Sequence, residues 1–246
     1  MPLDLDLDPD ADAPFPRFLE HKSTLAIPKA DRFDCWRAWH PTVSLTPLSE
    51  SASLELQGEI VRYRAPDGAV FAFTKCDSMD LNFGANNPAA DYFTLSMPVS
   101  GGGRATVGKA DMSLRPGGSF YLIDVQRPLR IRMAPGFANI HLSLPRGQVI
   151  EAMGRDPCVA GQPIVELGSR GLLGIADATL RSLVQRLGEL EEAEMAAALR
   201  MVAGLVVTGL QRQLEIPGDV DRPGAYDVLF STACRLIELY YADRNL

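Results

Sequence analysis

The sequence is short of the side chains that most often carry chemistry. Its 246 residues include three histidines, His21, His40 and His141, and no two of them stand at a metal-sharing spacing. A β-barrel that works through a first-row divalent metal draws on about three imidazoles and a carboxylate converging inside it, because those ligands suit such ions. The chain does not supply that set, so neither a metal nor another cofactor is expected. The four cysteines, Cys35, Cys76, Cys158 and Cys234, lie far apart and form no CxxC. That spacing argues against a zinc site or a disulfide framework and for a reduced, cytoplasmic setting. The sequence has no GxSxG, no GxGxxG and no GxxxxGK[ST]. Gly101-Gly102-Gly103 follows a strand-like run but leads into another, Arg104–Val107, so no helix N-terminus stands there to cradle a phosphate. No run approaches the ~20 continuous apolar residues that cross a bilayer. No basic start followed by an apolar stretch marks a secretory signal.

Excess basic charge is absent too. Lys and Arg number 24 against 31 Asp and Glu, a net charge of −7. Five of the acids are Asp4, Asp6, Asp8, Asp10 and Asp12, and without them the balance is 26 acids to 24 bases. A near-neutral body argues against strong nucleic-acid binding by this chain alone. The Asp/Leu alternation of residues 1–16, broken by prolines, has little to bury, and residues 1–28 are expected to form an acidic, flexible arm.

What is present is an ordinary globular composition, 46% apolar, at a length that suits one large domain or two small ones. In residues 29–40, Phe33, Trp36 and Trp39 or His40 share one stripe, and Pro41 stops the run, which predicts a short helix. From about 54 to 145, short β-like runs are separated by Gly/Pro punctuation. In Ala65-Pro66-Asp67-Gly68 the proline pre-sets one turn dihedral and the glycine accepts a left-handed one, so a hairpin is expected between Glu59–Arg64 and Ala69–Lys75. The pattern is that of a β-sandwich or barrel, with no helix to build a βαβ unit. Gly147–Gly174 reads as a mixed connector. Asp177 is placed as the cap of a helix carrying Leu180, Leu183, Val184 and Leu187. Glu189–Glu194 reads as an acidic break, and Ala196–Leu214 as a second helix with an unusually wide apolar face. Pro217-Gly218 would end it, and Pro223 would open a last helix. The expected fold class is α+β, a β-rich half followed by helices.

Four segments, Tyr92–Gly101 (YFTLSMPVSG), Leu114–Asp124 (LRPGGSFYLID), Arg127–Arg130 (RPLR) and Leu142–Arg146 (LSLPR), together resemble the cupin-like N-terminal domain of AraC-family transcription regulators. Phe33–Trp36 is similar to the helix that opens that domain, and Gly118 stands where the family often has Asp. The likeness spans roughly residues 30–215. Ala233–Leu246 is similar to the first helix of the family's DNA-binding domain. The resemblance implies a jelly-roll barrel that holds an organic effector, dimerisation through the helices after it, and DNA contact only through a domain absent from this chain. The expected organisation is the arm at 1–28, a cupin-like ligand-binding β-barrel at 29–146, connector and dimerisation helices at 147–222, and a helix at 223–246 leading to the missing DNA-binding domain.

Strand alternation sets Arg62 and Arg64 opposite Val61 and Tyr63, and Tyr92, Thr94 and Ser96 opposite Phe93, Leu95 and Met97. It likewise sets Tyr121 and Ile123 opposite Phe120 and Leu122, and His141 and Ser143 opposite Ile140 and Leu142. Which face turns inward is left open. The candidate ligand contacts are Arg62, Tyr92, Tyr121, His141 and Trp36, each with a simpler role available in packing or at a solvated edge. An arginine fork in a dry cavity would suit a carboxylate. Leu199, Val202, Val206 and Leu210 are the candidate dimer interface. The expectation is a ligand-sensing, dimerising region of an AraC-like regulator that is not an enzyme. The expected partners are a small organic effector and a second copy of the chain, with no membrane. The alternatives are a metal-dependent cupin enzyme, isomerase or dioxygenase, and a module that pairs with a full-length relative.

Overall fold

The computed structural model describes residues 15–84, 90–158 and 162–214. The expected helix after Pro223, its Pro217-Gly218 boundary, Cys234 and the aspartate-rich start lie outside the described residues. The expected hairpin forms: Ala65 N donates to Ala69 O at 2.8 Å, Gly68 N donates to Ala65 O at 3.0 Å, and Gly68 takes φ +88°.

Twelve strands form two antiparallel sheets. The seven-stranded sheet runs, in spatial order, β1 (Glu20–Ser23), β3 (Gly58–Arg64), β4 (Val70–Cys76), β11 (Phe137–Pro145), β6 (Tyr92–Ser100), β9 (Ser119–Asp124) and β12 (Ile164–Gly168). The five-stranded sheet runs β2 (Ser44–Pro47), β5 (Met79–Phe83), β10 (Leu129–Met133), β7 (Gly103–Val107) and β8 (Ala110–Leu114). The fold is α+β and cupin-like, but the sheets lie face to face and do not close into a barrel. The helices are α1 (Arg32–Ala38), α2 (Glu50–Leu54), α3 (Arg146–Met153), α4 (Leu172–Gln185) and α5 (Glu192–Leu214).

The large sheet separates two cores. On its outer face Tyr63, Phe71, Phe73, Phe93, Leu95 and Leu142 pack against α3, α4 and α5. Burying an apolar side chain of this size contributes roughly 1.5–3 kcal/mol, so this layer carries much of the stability. On the inner face a second cluster joins Ile60, Ala72 and Ile123 to Leu129, Ile131 and Met133 of the small sheet, with Phe33 and Trp36 of α1 at one end.

Several expectations change. Residues 20–23 are not part of a flexible arm, because Glu20–Ser23 pairs antiparallel with β3 and extends the large sheet. The connector at 147–174 contains α3 and the edge strand β12, which pairs with β9 through Leu167↔Phe120 and its neighbours. Asp177 is not a cap. The helix starts at Leu172 after Gly171, and Asp177 lies inside it, bridged to Arg181 at 2.6 Å. The acidic break opens α5, where Glu192 and Glu194 sit in the first turn and favour the positive end of the helix dipole.

The largest correction concerns Leu199, Val202, Val206 and Leu210. They are at most 1% exposed within a single chain. The apolar face of α5 is wide because it serves the large sheet, α3 and α4 at once, so these four side chains are not a surface for a second copy. With 23 residues, α5 is long and apolar enough, by length and composition, to span a membrane. Eight of its residues are instead buried in the chain's own core.

Gly58 marks a close approach between α1 and the large sheet. A Cβ there would stand 2.7 Å from Cε3 and Cζ3 of Trp36, whose ring lies flat on β3, whereas a Cβ on Gly84 would meet nothing. Gly58→Ala is expected to cost about 1–3 kcal/mol by overpacking, read as a lower urea midpoint. Gly84→Ala should leave that midpoint unchanged.

Candidate functional site

Between the sheets lies a cavity of about 370 Å³. Its floor is the inner face of the large sheet, and the strand register lays that floor out in rows. Arg62, Ala72, His141 and Ser96 stand side by side across β3, β4, β11 and β6. Ile60, Thr74 and Asn139 form the next row, and Arg64, Val70, Ser143 and Thr94 the row on the other side. The roof is apolar, built from Leu81, Phe83, Leu114, Ile131 and Met133 of the small sheet, and one wall is the segment Trp39–Val43 after α1. The two sides differ because the large sheet carries small and polar residues on this face where the opposite face carries aromatics.

The floor is hydrogen-bonded to itself. Asn139 Nδ2 donates to Ser96 Oγ at 2.9 Å and to His141 Nδ1 at 2.9 Å, while Thr94 and Ser143 share a hydroxyl hydrogen bond of 2.9 Å. The same Nδ2 lies 3.3 Å from His141 Nε2; with the shorter contact as the accepting one, the neutral ring carries its proton on Nε2. His40 is turned the other way. Its Nδ1 donates to the Trp36 carbonyl at 2.8 Å, its ring lies against the Trp36 ring at 4.4 Å, and its Nε2 is the bare acceptor. Burial is the main cause that lowers both imidazoles, His141 to about 3 and His40 to about 4, and the positive charge of Arg62 adds to it. Both are therefore neutral near pH 7. The Thr74 hydroxyl is buried without a partner.

Arg62 is anchored in two directions, by Glu20 at 3.1 Å and by the Trp39 carbonyl at 3.0 Å. Arg64, exposed at the rim, has no hydrogen bond or ion pair among the described residues. Arg62 and Arg64 are the charged side chains of the lining, and among the described residues no aspartate or glutamate joins them there.

Of the candidate contacts, Arg62, Tyr92 and His141 line the cavity. Tyr121 does not. It is 0% exposed, donates to Ser113 O at 3.2 Å and accepts from Arg115 N at 2.9 Å, which ties β9 to the end of β8. Trp36 is also not a lining residue; it supports the wall by packing on Gly58 and holding His40. Sequence reasoning missed His40, Trp39, Thr74 and Asn139. The signal for Thr74 and Asn139 was their place in the alternation that carries Ala72 and His141. Among the described residues no group of three His, Cys, Asp or Glu converges to hold a metal ion.

The segments that carried the family resemblance reach the cavity through Tyr92, Thr94, Ser96 and Ser143, and their charged residues meet outside it. Asp124, fully buried, accepts from Arg146 at 2.6 Å and pairs with Arg127 at 2.8 Å, and Asp156 bridges the same two arginines at 2.7 and 2.8 Å. The Arg146 guanidinium also lies 4.4 Å from the Phe93 ring. This cluster fastens the ends of β9 and β11 to α3.

Removing one partner from a buried pair strands the other charge. Arg146→Ala is expected to cost about 3–5 kcal/mol in urea unfolding, whereas Arg130→Ala, at a pair with Asp80 in which the arginine is 53% exposed, should cost about 1 kcal/mol or less. The histidines set a pH dependence. Their folded values lie below the unfolded value of about 6.5, so their share of stability is complete above that pH and is lost as pH falls toward the folded values. Between pH 6.5 and 5 the urea midpoint should drop, by about 1–2 kcal/mol per histidine, and His141→Gln should shrink that drop.

Residues 77–211 match the model of a family described as an AraC-binding-like domain, more than half of the chain. No curated protein matches the sequence. Among solved structures the fold is similar to the AraC-like transcriptional activator CuxR, at 18% identity and a TM-score of 0.65, over 93% of this chain and 80% of that one. ToxT from Vibrio cholerae O395 is more distant, with 7% identity and a TM-score of 0.34 over 68% of this chain and 59% of that one. A cupin-2 domain from Rhodospirillum rubrum has 16% identity and a TM-score of 0.28 over 42% and 70%. The two-sheet fold, the cavity it encloses and the family model agree: the chain belongs to the AraC-binding-like domain family.

Proposed function

We propose that the space between the sheets is the effector site of an AraC-like transcription regulator, and that this chain is its ligand-sensing part and not an enzyme. The observation that carries the reading is the division of the large sheet into a face of aromatics that is fully packed and a face of small polar residues that is not. Interiors are otherwise close-packed, and an unfilled space costs stability. A cavity of about 370 Å³ has the size of a small-molecule site, and an apolar lining with a few fixed polar groups is the usual construction of one. An effector acts by its difference in affinity between two states of the regulator. Here the wall Trp39–Val43 hangs on the Arg62 side chain, so occupancy of the cavity is read first by that segment. A cytoplasmic setting goes with this reading. So does homodimerisation, which must use side chains other than the four buried leucines and valines; Ile175 and Met201 are the large apolar side chains that the helical layer leaves exposed.

Ala72 sits at the centre of the floor between Arg62 and His141, and a tryptophan there fills the cavity. A thermal-shift screen with sugars, amines and aromatic acids should find a compound that stabilises the wild type, by about 2.7 kcal/mol at a hundredfold excess over Kd. The same compound should leave Ala72→Trp unshifted. Equal stabilisation of both proteins would contradict the site, and stoichiometric iron, manganese or zinc in the purified protein would contradict the non-enzymatic reading.

A further inference from the structure

We infer that the guest of this cavity is an amphipathic organic acid, its carboxylate at the Arg62–Arg64 edge of the floor and its hydrocarbon or aromatic body under the roof. The inference rests on the cavity being a ligand site, and adds the chemical class of the ligand. Charge comes first. Two arginines line the cavity, and among the described residues no carboxylate does. The one acid that reaches Arg62 is Glu20, 41% exposed and shared with Lys22, so a positive excess remains around the site. The two histidines add no compensating charge. At the mouth of a partly enclosed cavity such an excess repels an amine and attracts an anion.

Geometry comes second. Arg62 and Arg64 are two residues apart on β3 and point to the same face, roughly 6.6 Å apart along the strand. Long guanidinium side chains at that spacing can converge on one carboxylate, whose two oxygens match their planar donors. β1 pairs with β3 from Glu59 to Arg62 and stops there, leaving Arg64 beyond its cover. The neighbours of these arginines on β4 are Ala72 and Val70, too short to fill the space above them.

The roof comes third. Leu81, Phe83, Leu114, Ile131 and Met133 present no hydrogen-bonding groups beyond a thioether, so the body of the ligand must be apolar. A sugar would bury hydroxyls against them without partners, at about 1–3 kcal/mol each. One polar substituent is accommodated deeper in, where the Thr74 hydroxyl lacks a partner and is 6% exposed. The preferred class is therefore a monocarboxylic acid with an apolar chain or ring.

The test is calorimetric titration at pH 7 of octanoate, 3-phenylpropanoate and 4-hydroxyphenylacetate, each beside its primary amide and the amine of equal length. Tryptophan emission follows the same titrations, since Trp39 lines the cavity. At least one acid should bind with a change in emission, its amide and amine should be weaker by about tenfold or more, and Arg64→Gln should weaken the acid about tenfold to a hundredfold while leaving the amide unchanged. Arg64 is exposed, so this variant should keep the wild-type urea midpoint. An amide or amine that equals its acid and is lost in Ala72→Trp overturns the carboxylate assignment and leaves the cavity as the ligand site. Acids that bind Ala72→Trp as well as wild type overturn both readings. Failure of all three acids at millimolar concentration overturns the carboxylate assignment alone.

Discussion

Successive residues of a strand face opposite sides of its sheet, and the large sheet uses that constraint to separate a packed core from the lining of a cavity. Along β4, Phe71 and Phe73 go to the helical layer while Ala72 and Thr74 go to the cavity. Along β11, Ile140 and Leu142 pack outward while Asn139, His141 and Ser143 turn inward. A one-residue slip in any of these strands would bury the polar set against α4 and α5 and fill the cavity with aromatics. Pairing on both sides of β4, β11 and β6 makes such a slip costly, and the register is what brings Arg62, His141 and Ser96 into one row. The cavity lining can therefore vary in side chains without disturbing the core behind it.

The ends of the sheet are held by charge. Asp124 and Asp156 share Arg127 and Arg146 in a cluster where Asp124 has no contact with solvent. The geometry satisfies the carboxylates from several sides, and with that satisfaction a buried pair holds its place. Asp124, Arg127 and Arg146 belong to the segments on which the likeness to AraC-family sensors was recognised, and none of the three lines the cavity. The same segments also give Tyr92, Thr94, Ser96 and Ser143 to the cavity lining, so they serve both the scaffold and the lining. The neutral histidines belong to that lining: His40 offers a bare nitrogen and His141 an N–H, each fixed by the hydrogen bond at its other nitrogen.

Much of this was legible because local chemistry dictates it. Pro66 and Gly68 specify their hairpin, the alternation of β3, β6, β9 and β11 assigns each side chain to one of two faces, and Arg62, Tyr92 and His141 stand on the faces that line the cavity. What was not legible depended on partners distant in sequence. Choosing the inner face required knowing that α4 and α5 return to cover the aromatics. Tyr121 alternates correctly into the inner layer, yet its hydroxyl is taken by Ser113 and Arg115 at the end of β8. The apolar width of α5 suggested a second chain, when α3, α4 and the large sheet already use it. β12 is too short, and β1 too polar, to be recognised apart from the strands they pair with. His40 was hidden because it follows the helical stripe of α1 in sequence and joins the cavity only where Pro41 turns the chain.

The most direct measurement of the account is methyl NMR of the protein titrated with the tightest-binding compound from the ligand screens. The methyls of Ala72, Ile131 and Met133 face the cavity, and those of Leu95, Leu122 and Leu142 face the helices. The account expects the first group to shift in saturable fashion with one shared affinity while the second stays in place. Shifts centred on the helical side, or spread equally over both faces, would contradict it.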